Sequence, residues 1–245
     1  MRAILRGLVI AAGFLMTVLP GMAVAGLEEG LAAYEKKDYV TAMRELRPIA
    51  EQGNAVAQFK VGWMYDSGKG VVKDYKEALR MYRLSAAQGD AKAELYLGLM
   101  YDRGQGVVQD SKEAVRLYRL AAAQGNASAH YMLGVMYSKG EGVAKDNDEA
   151  ARRFRLAADQ GHELGQYGLG RVLESGSGIA KDTKEAARLY RLSADQGNAY
   201  AQQRLGWMYD YGEGVAKDSK EAVRLYRLAA DQGDADAQRN LGWMY

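Results

Sequence analysis

The chain has 245 residues, 48% of them hydrophobic and only two of them proline, which excludes a disordered or collagen-like chain and favours a helical one. Thirty-three lysines and arginines nearly balance thirty-one acids, and such a mixed surface exerts no long-range pull on phosphate backbones or anionic lipid, so no nucleic-acid partner is expected. Cysteine is absent, which rules out disulfide staples and thiolate chemistry and leaves stability to packing.

The first element is a leader. Arg2 and Arg6 precede an apolar run from Leu8 to Leu19, followed by Pro20 and a small-residue ending at Ala23, Val24 and Ala25, the layout of a secretory signal over 1–25. The apolar run is shorter than the roughly 20 residues that a spanning helix needs. Cleavage after Ala25, no stable membrane insertion and a periplasmic or secreted location are therefore expected. Loss of the leader removes two arginines and no acid, which leaves the rest of the chain formally neutral.

Beyond the leader, self-similarity decides the fold. A glycine recurs at Gly62, Gly98, Gly134, Gly170, Gly206 and Gly242 with a period of thirty-six residues, and a G-x-G segment keeps step from Gly68, Gly104, Gly140, Gly176 and Gly212. Each unit reads as two helices. In the first, Ala57, Val61, Met64 and Tyr65 form an apolar stripe that recurs as Ala93, Leu97, Met100 and Tyr101. The valine after G-x-G (Val71, Val107, Val143, Val215, with Ile179) is expected to tuck under a structural loop.

The second helix starts at an aspartate followed three positions later by glutamate, as in Asp74/Glu77, Asp110/Glu113, Asp146/Glu149, Asp182/Glu185 and Asp218/Glu221, a spacing that predicts reciprocal capping boxes rather than catalytic acid pairs. Ala78, Met81, Tyr82, Ser85 and Ala86 supply its buried stripe. Gln-Gly pairs such as Gln88/Gly89 stop it, and Asn54, Asp90, Asn126, Asn198 and Asp234 stand where the following helix needs an N-cap. Neither stripe can be buried in a lone hairpin, so stacked units must cover each other. Glycine in mid-helix costs roughly 0.5 to 1 kcal/mol relative to alanine, and close helix approach is the expected compensation.

The period and the run VGWMYDSGKGVVKDYKEALRMYRLSAAQG from position 61, with its later copies, resemble Sel1-like repeats, relatives of tetratricopeptide repeats. The resemblance divides the chain into five units, 54–89, 90–125, 126–161, 162–197 and 198–233, with a partial sixth over 234–245. Residues 26–53, including AAYEKKDYVTAMRELRPIAEQG, resemble a shorter tetratricopeptide-like unit. It implies an all-α, right-handed α/α superhelical solenoid that assembles protein complexes or holds peptide segments. Exported bacterial members include regulators and host-interaction factors. A cysteine-rich branch linked to β-lactam binding relies on disulfides that this chain cannot form.

Two features depart from the pattern. The unit from His162 carries Gly165 and Gly168 in its first helix, with Arg171, Val172 and Leu173 where other units have an aromatic or aliphatic residue, methionine and tyrosine; it is expected to be a soft point. The sequence stops at Tyr245 one helix into a unit, so the chain is a fragment, or the lone helix caps the stack, or a partner covers it.

The sequence carries little that resembles catalytic or metal-binding chemistry. His130 and His162 are the only histidines and too few for a metal cluster or triad. His130 sits in a column with Gln58, Glu94, Gln166, Gln202 and Gln238 and reads as a solvated or capping residue. The G-x-G copies lack both the third glycine of a dinucleotide fingerprint and the end of a P-loop. G-x-S-x-G and S-x-x-K are missing after the leader. No catalytic residue, cofactor or metal ligand is expected.

Tetratricopeptide-like geometry places the first, fifth, eighth and twelfth positions after each helix start on the inner face. The residues selected there for partner binding are Lys60, Trp63, Tyr96, Arg103, Met132, Tyr200, Arg204, Trp207 and Tyr211. Trp63 and Trp207 fit inter-repeat core equally well, and Tyr96, Tyr200 and Tyr211 are preferred as anchors. The leading expectation is a non-enzymatic scaffold or regulatory adaptor of the cell envelope that binds a peptide or protein in this groove. The alternatives are a cell-wall-directed enzyme or binder acting on β-lactam or peptidoglycan, and an assembler working through its C-terminal end.

Overall fold

A computed structural model describes residues 20–244, so the expected leader lies outside the described residues apart from Pro20–Ala25, as does Tyr245. The described residues form thirteen α-helices and no strand. An N-terminal pair, α1 (Pro20–Glu35) and α2 (Tyr39–Glu51), is followed by five more pairs. These are α3 (Ala55–Ser67) with α4 (Tyr75–Ala86), α5 (Ala91–Arg103) with α6 (Ser111–Ala123), and α7 (Ala127–Lys139) with α8 (Asn147–Asp159). Next come α9 (Glu163–Ser175) with α10 (Thr183–Asp195) and α11 (Ala199–Tyr211) with α12 (Ser219–Asp231), and α13 (Ala235–Trp243) ends the series. Every helix packs on its neighbours in sequence, which makes the chain an α/α solenoid.

The helix ends are written in the sequence. At the first helices Asn54, Asp90, Asn126, Asn198 and Asp234 each accept a hydrogen bond from the backbone N–H three residues on, and His162 does so through Nδ1 at 3.1 Å. Gly68 and its repeats close those helices in the left-handed conformation.

The capping boxes are one-sided. Asp110 accepts from the Lys112 and Glu113 N–H groups, but Glu113 turns away to Arg116 at 2.7 Å. The reason is that the Asp110 N–H already donates to the Tyr101 carbonyl across the hairpin, and Asp74, Asp146, Asp182 and Asp218 repeat this bond. No orphan amide is left for the glutamate to satisfy.

The mid-helix glycines serve close approach. A Cβ on Gly62 would stand 2.9 Å from the Tyr82 ring, and one on Gly98 2.6 Å from Tyr118. Tyr82, Tyr118, Tyr190 and Tyr226 are consequently the largest fully buried side chains. The second loop glycine joins successive hairpins: a Cβ on Gly106 would meet the Tyr75 carbonyl oxygen of the preceding unit at 2.6 Å. Val71, Val107, Val143, Ile179 and Val215 pack half-buried against the core beneath these loops.

Gly165 and Gly168 are places of tight packing. A Cβ on Gly165 would meet the Ala157 Cβ at 2.5 Å, and one on Gly168 the Phe154 ring at 2.7 Å. Here α7 also packs directly on α9.

Candidate protein-binding groove

The first helices turn one side to the core and leave another free, and the free sides of α9, α11 and α13 wall a cleft of about 1420 Å³. Tyr200, Arg204, Trp207 and Tyr211 meet there with Tyr167, Arg171 and Trp243. Tyr200 is 60% and Tyr211 65% exposed, whereas Trp207 is half-buried and packs on Tyr211 at 5.0 Å between ring centres. A smaller cavity of about 520 Å³ between α7 and α9 shares Tyr167 and Arg171, so the two form one continuous surface.

An ionic bridge braces the cleft. Glu174 on α9 pairs with Arg204 on α11 and accepts a hydrogen bond from the buried Tyr190 hydroxyl at 2.6 Å. The Arg204 guanidinium lies 5.1 Å from the Trp207 ring centre, a cation–π arrangement. Burial opposes its charge, yet Glu174, joined by the Tyr190 hydroxyl, holds the guanidinium pKa above its ordinary value. Burial, and then the bond to Glu174, push the Tyr190 phenol up. Arg171, in contrast, is exposed and lies over the Tyr167 ring at 6.0 Å, which leaves its donors directed to solvent or ligand.

The other selected residues lie apart. Lys60 pairs with Glu35 at 3.5 Å and covers the Tyr34 ring at 3.8 Å, while Trp63 packs between Tyr34 and Tyr39. Tyr96 belongs to an aromatic cluster with Phe59 and the fully buried Tyr82, so it is largely a packing residue. Met132 lies half-buried against the core, and Arg103 is exposed outside the cleft.

Tyr167 and Glu174 escaped selection because they lie off the chosen stripe. Glu174 carried a signal nonetheless: it is the only glutamate in a column of Asp66, Asp102, Ser138 and Asp210, and its extra methylene lets it span two repeats.

His130 is buried rather than solvated, with no hydrogen-bond partner at Nδ1. Among the described residues no group of three or more His, Cys, Asp or Glu side chains is placed to hold a metal ion. No described helix is long and apolar enough to cross a membrane.

The chain matches the family model described as Sel1 repeat over residues 55–90, 91–126, 127–162, 164–198, 199–234 and 235–245. It is similar to a Sel1 repeat protein from Oxalobacter formigenes, at 34% identity and a TM-score of 0.81 over 90% of this chain and 86% of that one. It is also similar to a protective antigen of uropathogenic Escherichia coli strains that displays an SLR fold, at 36% identity and a TM-score of 0.78. That alignment covers 92% of this chain but 48% of the other, so this chain spans about half the antigen's length. No curated protein matches the chain.

Proposed function

The chain belongs to the Sel1 repeat family, whose members are generally non-enzymatic protein-interaction scaffolds, and from that premise we propose that it seats a segment of a protein partner in the cleft between α9, α11 and α13. The observation that carries this reading is the exposure of Tyr200 and Tyr211 beside Trp207 and the braced Arg204. Aromatic and arginine anchors dominate binding energy at interface centres, and a rigid wall spares the ordering cost that weakens association.

The place of action is the cell envelope. The support is the leader pattern of Arg2, Arg6 and the apolar run Leu8–Leu19. Cleavage after Ala25 removes the first residues of α1 and keeps Gly30 and Ala33, which pack on α2 or lie in the core.

Photo-crosslinking tests the groove. A benzoylphenylalanine at position 200 or 211, exposed to a library of extended peptides, is expected to capture a subset that the same group at the far-side position 228 does not. Equal capture from position 228 overturns the reading. Mass spectrometry of exported protein tests the location, with an N-terminus at Gly26 expected and an intact Met1 contradicting it.

A further inference from the structure

Departures from the repeat gather at one seam, between α7 and α8 on one side and α9 on the other. The N-cap of α9 is a histidine. The Gly165 N–H donates to His162 Nδ1 at 3.1 Å, and Nε2 stands 3.1 Å from the Ser128 Oγ on α7. Because Nδ1 accepts, the neutral ring carries its proton on Nε2 and donates it to Ser128.

Two recurring tethers are missing nearby, one inside the α7/α8 hairpin that borders the seam and one across the seam itself. Gln88, Gln124, Gln196 and Gln232 donate to Gln58, Glu94, Gln166 and Gln202 across their hairpins, whereas Gln160 keeps only the bond to the carbonyl four residues back, at Leu156, which Gln88, Gln196 and Gln232 make in addition. The column position it would reach is His130. Arg83, Arg119 and Arg191 donate to the hydroxyls of Tyr101, Tyr137 and Tyr209 in the next unit. Opposite Arg155 the equivalent residue is Leu173, which has no hydroxyl.

We propose that this seam is an acid-sensitive joint: protonation of His162 turns the N-cap acceptor of α9 into a donor facing the Gly165 N–H, and the first turn of α9 loosens from α7. The other first helices are capped by amide or carboxylate oxygens, at Asn54, Asp90, Asn126, Asn198 and Asp234, and not by an imidazole nitrogen. Helix α9 is also poorly equipped to survive without its cap, as it holds Gly165, Gly168 and Gly170 within two turns.

The surroundings of the rings favour the neutral form. His162 faces Ser128 and the Tyr131 ring of α7, the latter at 5.6 Å, and its own N–H donates to the Ala157 carbonyl of α8. Burial pushes it below the ordinary histidine value, with Glu163 opposing. Burial likewise lowers His130, helped by Arg153 of α8, which is itself paired with Glu149. A histidine held below its unfolded value contributes stability fully above about pH 6.5 and loses it as the pH falls. Since α9 also carries Tyr167, Arg171 and Glu174, the loosened state changes one wall of the groove; that consequence rests on the function proposed above, and the joint itself does not.

Hydrogen exchange on the protein alone, without ligand, tests the joint. Between pH 7.5 and 5.5, after correction for intrinsic rates, protection over 163–175 is expected to fall about fivefold more than over 91–103 or 199–211, the loss of one cap. His162→Asn installs the residue that caps α3, α7 and α11 and is expected to abolish the difference. A uniform pH response along the wild-type chain, or an undiminished acid response in His162→Asn, overturns the proposal.

Discussion

Glu174 holds Tyr190 and Arg204 at once, tying the second helix of its own repeat to the first helix of the next. The corresponding hydroxyl of Tyr118 is buried with no hydrogen-bond partner. Tyr190→Phe is therefore expected to cost about 1 kcal/mol, one buried hydrogen bond, while Tyr118→Phe is neutral or slightly stabilising. Urea unfolding of the two variants measures the contrast. Equal losses would assign no net stability to the bridge.

The one-sided caps give a second contrast. Asp110→Ala removes the acceptor for two backbone amides and is expected to cost about 1 kcal/mol. Glu113→Ala removes only a half-exposed ion pair with Arg116 and is expected to cost roughly 0 to 1 kcal/mol. Comparable losses in thermal unfolding would mean that the glutamate completes the cap in solution after all.

Period, hairpin boundaries and caps were legible in the sequence because each depends on residues within one unit: Asn54 caps the helix it begins, and Gly98 makes room for Tyr118 twenty residues on. What was not legible depends on how far a neighbour's side chain reaches. Tyr96 and Tyr200 fall on the same stripe, yet Tyr96 meets Phe59 of the preceding unit while Tyr200 remains 60% exposed. His130 shares a column with glutamines, and a column does not reveal that Gln160 fails to cross to it. Nor does one unit's sequence show what fills the space beside Gly165 and Gly168, because the Phe154 ring and Ala157 lie in a different unit.

His130 supplies a pH prediction. Its charged form is disfavoured by burial first and by Arg153 second, so the unfolded chain takes up a proton at higher pH than the folded one. The stability contributed by the neutral ring is present above about pH 6.5 and is lost as the pH falls. His130→Gln restores the residue found at Gln58, Gln166 and Gln202, gives Gln160 a partner, and is expected to add about 1 kcal/mol at neutral pH. It should also lessen the fall of the melting temperature between pH 7.5 and 5.5, the remainder belonging to His162. A variant as acid-sensitive as the wild type would show that His130 is not the group responsible.

Close approach at the glycines predicts opposite signs for one substitution at two positions of the same column. Alanine at Gly98 puts a methyl group 2.6 Å from the Tyr118 ring and is expected to cost about 1 to 3 kcal/mol through overpacking, more than the helix propensity gained. Alanine at Gly242 meets nothing within 4 Å and is expected to leave stability unchanged or raise it by up to about 1 kcal/mol. Calorimetry of the pair decides whether ring contact or helix propensity governs this column.

The last contrast separates packing aromatics from binding ones. Tyr96 contacts Phe59 and Tyr82, so Tyr96→Ala is expected to destabilise the fold by about 2 kcal/mol or more through the cavity it leaves. Tyr211 touches Trp207 on one face and is 65% exposed, so Tyr211→Ala is expected to stay within about 0.5 kcal/mol of wild type. Against a peptide captured in the cleft the order reverses: Tyr211→Ala should weaken binding about tenfold or more, and Tyr96→Ala, assayed well below its melting point, should leave it within about twofold. Titration calorimetry on both variants reads each effect separately. Binding lost with Tyr96 and kept without Tyr211 would move the seat of recognition from the α9–α11 cleft toward the N-terminal repeats.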